Sequence, residues 1–291
     1  MTRVYLRDEV RAIPIRARRP LGGVVQGDAQ TRLRGAQGLE FSDFREYEPG
    51  DDVSRIDWNV TARLGKPWVR MYLEERGHPV LILADVSSST LWGRGELAAR
   101  NVIADIAARL ASAAIWSGCE TGLLLFADRV KKYVPAKTGL PHLTALIREL
   151  KCPAEGDGRT DVTCALNFVQ TIRQRRGIVF LLSDFLSNDF ANPLRRCAQR
   201  HEVVAIGVGA AESEEETPDC GLLNLRDPES GEVRQIDTSS REVRQAFGDA
   251  IGKRREANAE TFRKAGVDYL PLAAAPGYMN PVIGFLRQRV G

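Results

Sequence analysis

Five oxygen-bearing residues in three separated segments carry the chemistry most readily read from this sequence: Asp85, Ser87 and Ser89 in one run, Thr160 in a second, and Asp184 in a third. Alternate side chains of an extended or looped backbone point to one side, so Asp85, Ser87 and Ser89 offer a carboxylate and two hydroxyls to a common space. An oxygen-only donor set is hard and suits Mg2+, with Mn2+ or Ca2+ as further candidates, in preference to zinc or copper. Each segment also has a plainer reading. A strand that ends in a turn and a serine that caps the next helix give the first run, Thr160 or Asp161 reads as a helix cap, and Asp184 as a turn residue. Convergence on one edge of a fold is what would turn these segments into a site.

The elements that must position them follow from hydrophobic periodicity. From Pro79 onward, short apolar runs alternate with longer segments of helical period, which predicts parallel strands joined by crossover helices. The run 80–84 lacks polar alternation and reads as a strand buried on both faces, with Asp85 at its carboxyl end, where ligand crevices of open α/β sheets form. A helix is expected over Leu97 to Trp116, then strands over 121–126 and 129–134 joined by a tight Ala127-Asp128 turn, and a helix over 140–150. The glycines of 155–159 predict a loop, followed by a helix from about Asp161 to Arg175 and a second buried strand at 178–182 that delivers Asp184 to the same edge. A further crossover leads to a strand at 203–208, an acidic loop at 212–216, a hairpin over 222–236, a charged helix over 239–264 and a last strand near 269–272. Before Pro79 the helix-strand repeat is absent. Residues 1–78 are therefore expected to form a β-rich or irregular appendage to an α/β domain spanning 79–291.

Composition narrows the function classes. Hydrophobic residues at 43% and charged residues at 27% are ordinary for a folded globular chain, and a formal net charge of +3 gives no support for nucleic-acid binding. The longest apolar runs fall far short of the roughly 18 residues needed to span a bilayer, and the arginine-studded start of the chain has no continuous apolar segment of signal-peptide length. No integral membrane segment is expected. The five cysteines form no C-x-x-C pair and read as reduced thiols, which points to a cytoplasmic protein.

The three oxygen-bearing segments, in this order, resemble the metal-ion-dependent adhesion site of the von Willebrand factor A family, in which D-x-S-x-S, a loop threonine and a strand-end aspartate surround one ion. In that family the Ser and Thr hydroxyls ligate directly, the carboxylates often act through water, and an open position accepts a carboxylate from a partner. The sequence departs from the family at Thr90, where many relatives carry Met, and at Phe185, where many carry Gly; neither is a ligand position. Upstream, Gly38-Leu-Glu-Phe41, Arg45-Glu-Tyr-Glu-Pro-Gly-Asp51-Asp52, Arg55-Ile-Asp57-Trp58 and Ala62-Arg63 resemble the signature that precedes the A-type domain in the family of domain of unknown function 58. Physically, Pro49-Gly50 suits a turn, and Asp51, Arg55, Asp57 and Arg63 suit ion pairs beside Trp58.

The resemblance implies a von Willebrand factor A-like Rossmannoid sheet flanked by helices. Longer relatives carry N-terminal membrane helices, so a cytosolic short form is implied. It also implies a non-enzymatic interaction module, an accessory factor of a MoxR-type AAA+ ATPase that remodels or matures a client complex. Two alternatives stand beside it. A metal-dependent phosphoryl or ester hydrolase would use Asp85 or Ser87 as nucleophile, yet His78, His142 and His201 have no Ser or Asp partner at a recognisable spacing and no phosphate loop is present. A metal-free structural module is the other. Gly207-Val-Gly209 follows a strand but lacks the third glycine and the helix of a dinucleotide motif.

Overall fold

The computed structural model describes residues 13–15, 39–47, 53, 56–74, 78–91, 95–151, 159–172, 175–187, 189–209, 221–226 and 233–290. The chain divides into two compact units, Gly22–Gly77 and a larger one made of Met1–Leu21 with His78–Gly291.

In the smaller unit, β1 (Leu39–Glu46) pairs antiparallel with β2 (Trp68–Glu74), with a bulge between Phe41 and Asp43. A short helix, α1 (Trp58–Leu64), lies between them in sequence. Asp57 caps it by accepting from the amides of Asn59 and Val60 at 2.9 and 3.2 Å, and Gly65 ends it in the left-handed conformation at φ 72°. The Asp57 carboxylate serves as a helix cap, and Trp58 is 66% exposed. Asp51 and Arg55, with the Pro49-Gly50 turn, lie outside the described residues.

The larger unit is built on a six-stranded sheet. Its strands are β3 (Val80–Asp85), β4 (Thr121–Phe126), β5 (Val130–Lys137), β6 (Ile178–Ser183), β7 (Glu202–Gly209) and β10 (Asp268–Ala273). They lie in the order β10-β7-β6-β3-β4-β5, all parallel except the edge strand β5. Counted within the sheet this is the doubly wound order 3-2-1-4-5-6, with the first strand central and the order reversing beside it. The fold is the expected von Willebrand factor A-like α/β sheet flanked by helices. The hairpin β8 (Leu222–Arg226) and β9 (Val233–Asp237) stands outside the main sheet.

Period-two alternation divides the core. Val80, Ile82 and Ala84 of β3, with Ile178, Phe180 and Leu182 of β6, face one layer, which includes α2 (Ala99–Trp116), α3 (Leu140–Lys151) and α7 (Met279–Val290). Leu81, Leu83, Val179 and Leu181 face the other, with α4 (Val162–Thr171), α5 (Ala191–Arg200) and the aromatic Phe262 of α6 (Arg241–Ala265). Every residue of β3, β4 and β6 is buried, the condition inferred for central parallel strands. Ile13 and Ile15 join the first layer from far upstream, which the sequence pattern did not indicate.

Helix ends differ from expectation by local chemistry. The helix expected to reach Arg175 ends at Thr171, because Ile172 is already extended. α7 was not anticipated, since Pro281 interrupts its apolar pattern; in the first turn a proline is tolerated, as its missing N–H would have no intrahelical partner. Gly207 has a packing role: a Cβ there would stand 2.5 Å from the Tyr269 hydroxyl. Among the described residues no helix is long and apolar enough to cross a membrane.

Candidate metal centre

Asp85 and Ser183 end neighbouring parallel strands, and the loops that leave them carry Ser87, Ser89 and Asp184. Thr160 arrives from the start of α4, whose position is fixed on two sides. The Asp161 amide donates to the Ala127 carbonyl in the β4–β5 turn at 2.9 Å, and the Val162 amide donates to Ser187 Oγ at 3.1 Å. Asp161 itself caps α4 through the Thr163 amide at 2.9 Å, which frees the neighbouring Thr160 side chain to turn inward.

Three of the five predicted residues meet directly. The hydroxyl oxygens of Ser87, Ser89 and Thr160 form a triangle with all three edges 2.9 Å. All three residues are buried, as is Asp85. Asp85 Oδ1 accepts the Ser87 amide at 2.8 Å, and Oδ2 accepts the Ser183 hydroxyl at 2.5 Å. Asp184 is half-buried; its Oδ1 accepts the Leu186 amide at 3.0 Å, and its charge acts on Asp85.

The electrostatics of Asp85 are unusual for a carboxylate. Burial, then repulsion by Asp184, push its pKa up to about 7, against the opposing pull of hydrogen bonds from Ser183 and Ser87. Two carboxylates near one another in a buried setting favour uptake of a cation or a proton. Among the described residues no three His, Cys, Asp or Glu side chains cluster as a metal-binding group; the candidate donor set is two carboxylates and three hydroxyls. That set is chemically suited to a hard divalent ion and offers no soft ligand.

Three further residues shape the site and were not singled out in the sequence. Ser183 bridges the two strand ends, donating to Asp85 and accepting the Phe185 amide at 2.9 Å. Ser187 anchors α4. Arg100, in the first turn of α2, donates through Nη2 to the carbonyls of Val86 and Ser87 at 2.6 and 3.0 Å. Thr90, one of the two departures from the family pattern, donates to the Ser87 carbonyl at 2.7 Å. Phe185, the other, takes φ 54°, the left-handed region that favours glycine. Its ring is fully buried against Phe262, Phe190 and Tyr269, with centroids 4.9, 5.8 and 5.9 Å away, and this packing opposes the backbone strain.

The chain is similar to several known proteins. The uncharacterized protein Rv1480 of Mycobacterium tuberculosis is 31% identical over 283 residues, covering 96% of this chain and 88% of its own. Among solved structures, the conserved hypothetical protein BatB of Bacteroides thetaiotaomicron covers 73% of this chain and 98% of its own, at 14% identity and a TM-score of 0.45. Proximal thread matrix protein 1 of the mussel byssus, with a zinc-occupied metal-ion-dependent adhesion site, covers 46% of this chain and 38% of its own, at 19% identity and a TM-score of 0.37. The model of the family described as protein of unknown function DUF58 matches residues 43–257, and the chain belongs to that family.

Proposed function

We propose that the chain is a non-enzymatic docking module that holds a divalent cation between Asp85, Ser87, Ser89, Thr160 and Asp184 and offers it to an acidic residue of a partner protein. The hydroxyl triangle is the observation that carries this reading. The three hydroxyl oxygens, 2.9 Å from one another, would present a hard, oxygen-only face to a divalent ion such as Mg2+. When bound, such an ion supplies an electrophilic position for an incoming carboxylate, because the neutral hydroxyls leave much of its charge unquenched.

The protein's own groups divide the remaining work. Ser87, Ser89 and Thr160 present oxygens without adding charge. Asp85 and Asp184 supply the negative charge that attracts the cation, and Ser183 holds the Asp85 carboxylate in one orientation through a 2.5 Å hydrogen bond. The Ser87 hydroxyl lies against two other hydroxyls, those of Ser89 and Thr160. That arrangement favours docking over nucleophilic catalysis.

The partner we assign is a MoxR-type AAA+ ATPase, or the client that such an ATPase remodels, on the strength of the family signature over residues 38–63. Calorimetric titration with Mg2+ tests the site: binding is expected to the wild type and lost in Asp85→Ala. Equal binding by both removes the basis of the proposal. A purified MoxR-type ATPase should then be retained by the wild type in Mg2+ and released by EDTA.

A further inference from the structure

Arg100 occupies a place that helix electrostatics disfavour. The first turn of a helix carries partial positive charge from its unpaired amides, so a cation there is disfavoured where an acid would be favoured. No acidic residue occupies the first turn of α2, and Ala98 at its start contributes no side-chain cap. The compensation lies across the loop. One nitrogen of the guanidinium holds two successive carbonyls, Val86 and Ser87, at 2.6 and 3.0 Å, and Nε reaches the Thr90 hydroxyl at 3.4 Å. Thr90 in turn donates to the same Ser87 carbonyl at 2.7 Å. The backbone that presents the Ser87 and Ser89 hydroxyls is thus fastened from behind by one side chain 13 residues further along the chain.

The geometry points to Arg100 as the positioning residue of the cation loop, a role that rests on the docking function proposed above. Its planar donor fork sets the path of Val86 and Ser87 so that the Ser87 and Ser89 oxygens meet Thr160, and its charge also acts on Asp85. A lysine could keep the charge but, as a compact ammonium on a flexible stem, would not reproduce the three planar contacts.

Arg100 also lines a cavity of about 250 Å³ between α2 and α3, together with Ala104, Ala108, Ile147 and Leu150. This opening makes the role testable by chemical rescue. Truncation at Arg100 leaves space that a soluble guanidinium ion can enter, whereas a general packing defect would not respond to that ion. The measurements are Mg2+ titration by calorimetry and hydrogen exchange at the Ser87 and Thr90 amides, on wild type, Arg100→Ala and Arg100→Lys, with and without ethylguanidinium.

Removing an outer residue that orients metal ligands typically weakens affinity about 10- to 100-fold, and that loss is expected for Arg100→Ala. Arg100→Lys should recover only part of it, ethylguanidinium should restore Arg100→Ala and leave the wild type unchanged, and amide exchange should rise and fall in parallel. Wild-type Mg2+ affinity and wild-type exchange in both variants would overturn the assignment while leaving the docking site intact. Equal affinity in the wild type and Arg100→Lys would reduce Arg100 to a charge and also overturn it. Absence of Mg2+ binding in the wild type would instead defeat the docking function, and the positioning role with it.

Discussion

At the amino ends of β7 and β10, the guanidinium of Arg289 lies between Glu202 and Asp268, while at the carboxyl ends of β3 and β6 the carboxylate of Asp85 accepts hydrogen bonds from Ser183 and Ser87. Arg289 Nε donates to Asp268 Oδ2 at 2.9 Å, its Nη2 contacts Glu202, and only 4% of its side chain is exposed. At that edge two carboxylates share one buried guanidinium. At the opposite edge a second carboxylate, Asp184, raises the cost of ionising the first. One sheet therefore has an end where two carboxylates meet a guanidinium directly and an end where two carboxylates stand near each other. The contrast separates a charge that ties the fold together from charges that, in the proposed function, hold a cation.

The largest effect expected from breaking this contrast is at the end held by Arg289. Replacing Arg289 with Met leaves Glu202 and Asp268 without their buried counter-charge, and breaking a buried ion pair in this way costs about 3–5 kcal/mol. Urea unfolding of Arg289→Met should show that loss, with Mg2+ affinity equal to wild type. A fall in Mg2+ affinity as large as the fall in stability would mean that the two ends are not independent.

Stability should also respond to pH with opposite sign at the two ends. The folded pKa of Asp85 is raised to about 7 from an ordinary 3.8, so its contribution is fully present below 3.8 and is lost as pH rises through 7. His201, buried beside Glu202, has its pKa pushed down to about 4 from 6.5, first by burial and then by Arg200 and Arg176. Its contribution is present above 6.5 and is lost as pH falls through 4. In the metal-free protein, Asp85→Asn should raise stability at about pH 8 by about 2–4 kcal/mol, and Mg2+ added to the wild type should recover a comparable amount. Denaturant titrations in EDTA and in Mg2+ measure both. No gain from either change at that pH would show that Asp85 is not the strained charge of the sheet.

The sequence made one end of this contrast legible and hid the other. Asp85, Ser87, Ser89, Thr160 and Asp184 stood out because residue type, spacing and placement at strand ends are all local features. The central strands were equally readable, since burial on both faces demands continuous apolar runs such as 80–84 and 178–182. Arg289, Glu202 and Asp268 gave no signal: each sits among other charges in sequence, and their meeting depends on the last helix, itself concealed by Pro281. Ser183 was hidden for a related reason, because its bond to Asp85 spans 98 residues. Arg100 did leave a local trace, a cation in a helix's first turn, but only the fold shows what it holds. Phe185 is intermediate: the departure from glycine was visible, whereas the aromatic cluster that tolerates φ 54° was not.

The smallest effect is the most exacting test of the site's chemistry. Thr160→Val keeps the shape of the side chain and removes only the oxygen that closes the triangle with Ser87 and Ser89. A neutral hydroxyl contributes a donor atom but no net charge, so its loss should weaken Mg2+ about tenfold, and the lost hydrogen bonds should lower stability by about 1 kcal/mol. Thr160→Ser should behave as wild type in calorimetry. If valine binds Mg2+ as well as threonine does, the triangle is an ordinary hydrogen-bonded cluster, and the negative charge of Asp85 and Asp184 alone would have to hold the ion. If valine loses binding and serine keeps it, the carboxyl end of the sheet works as a shaped set of oxygens rather than as a patch of charge.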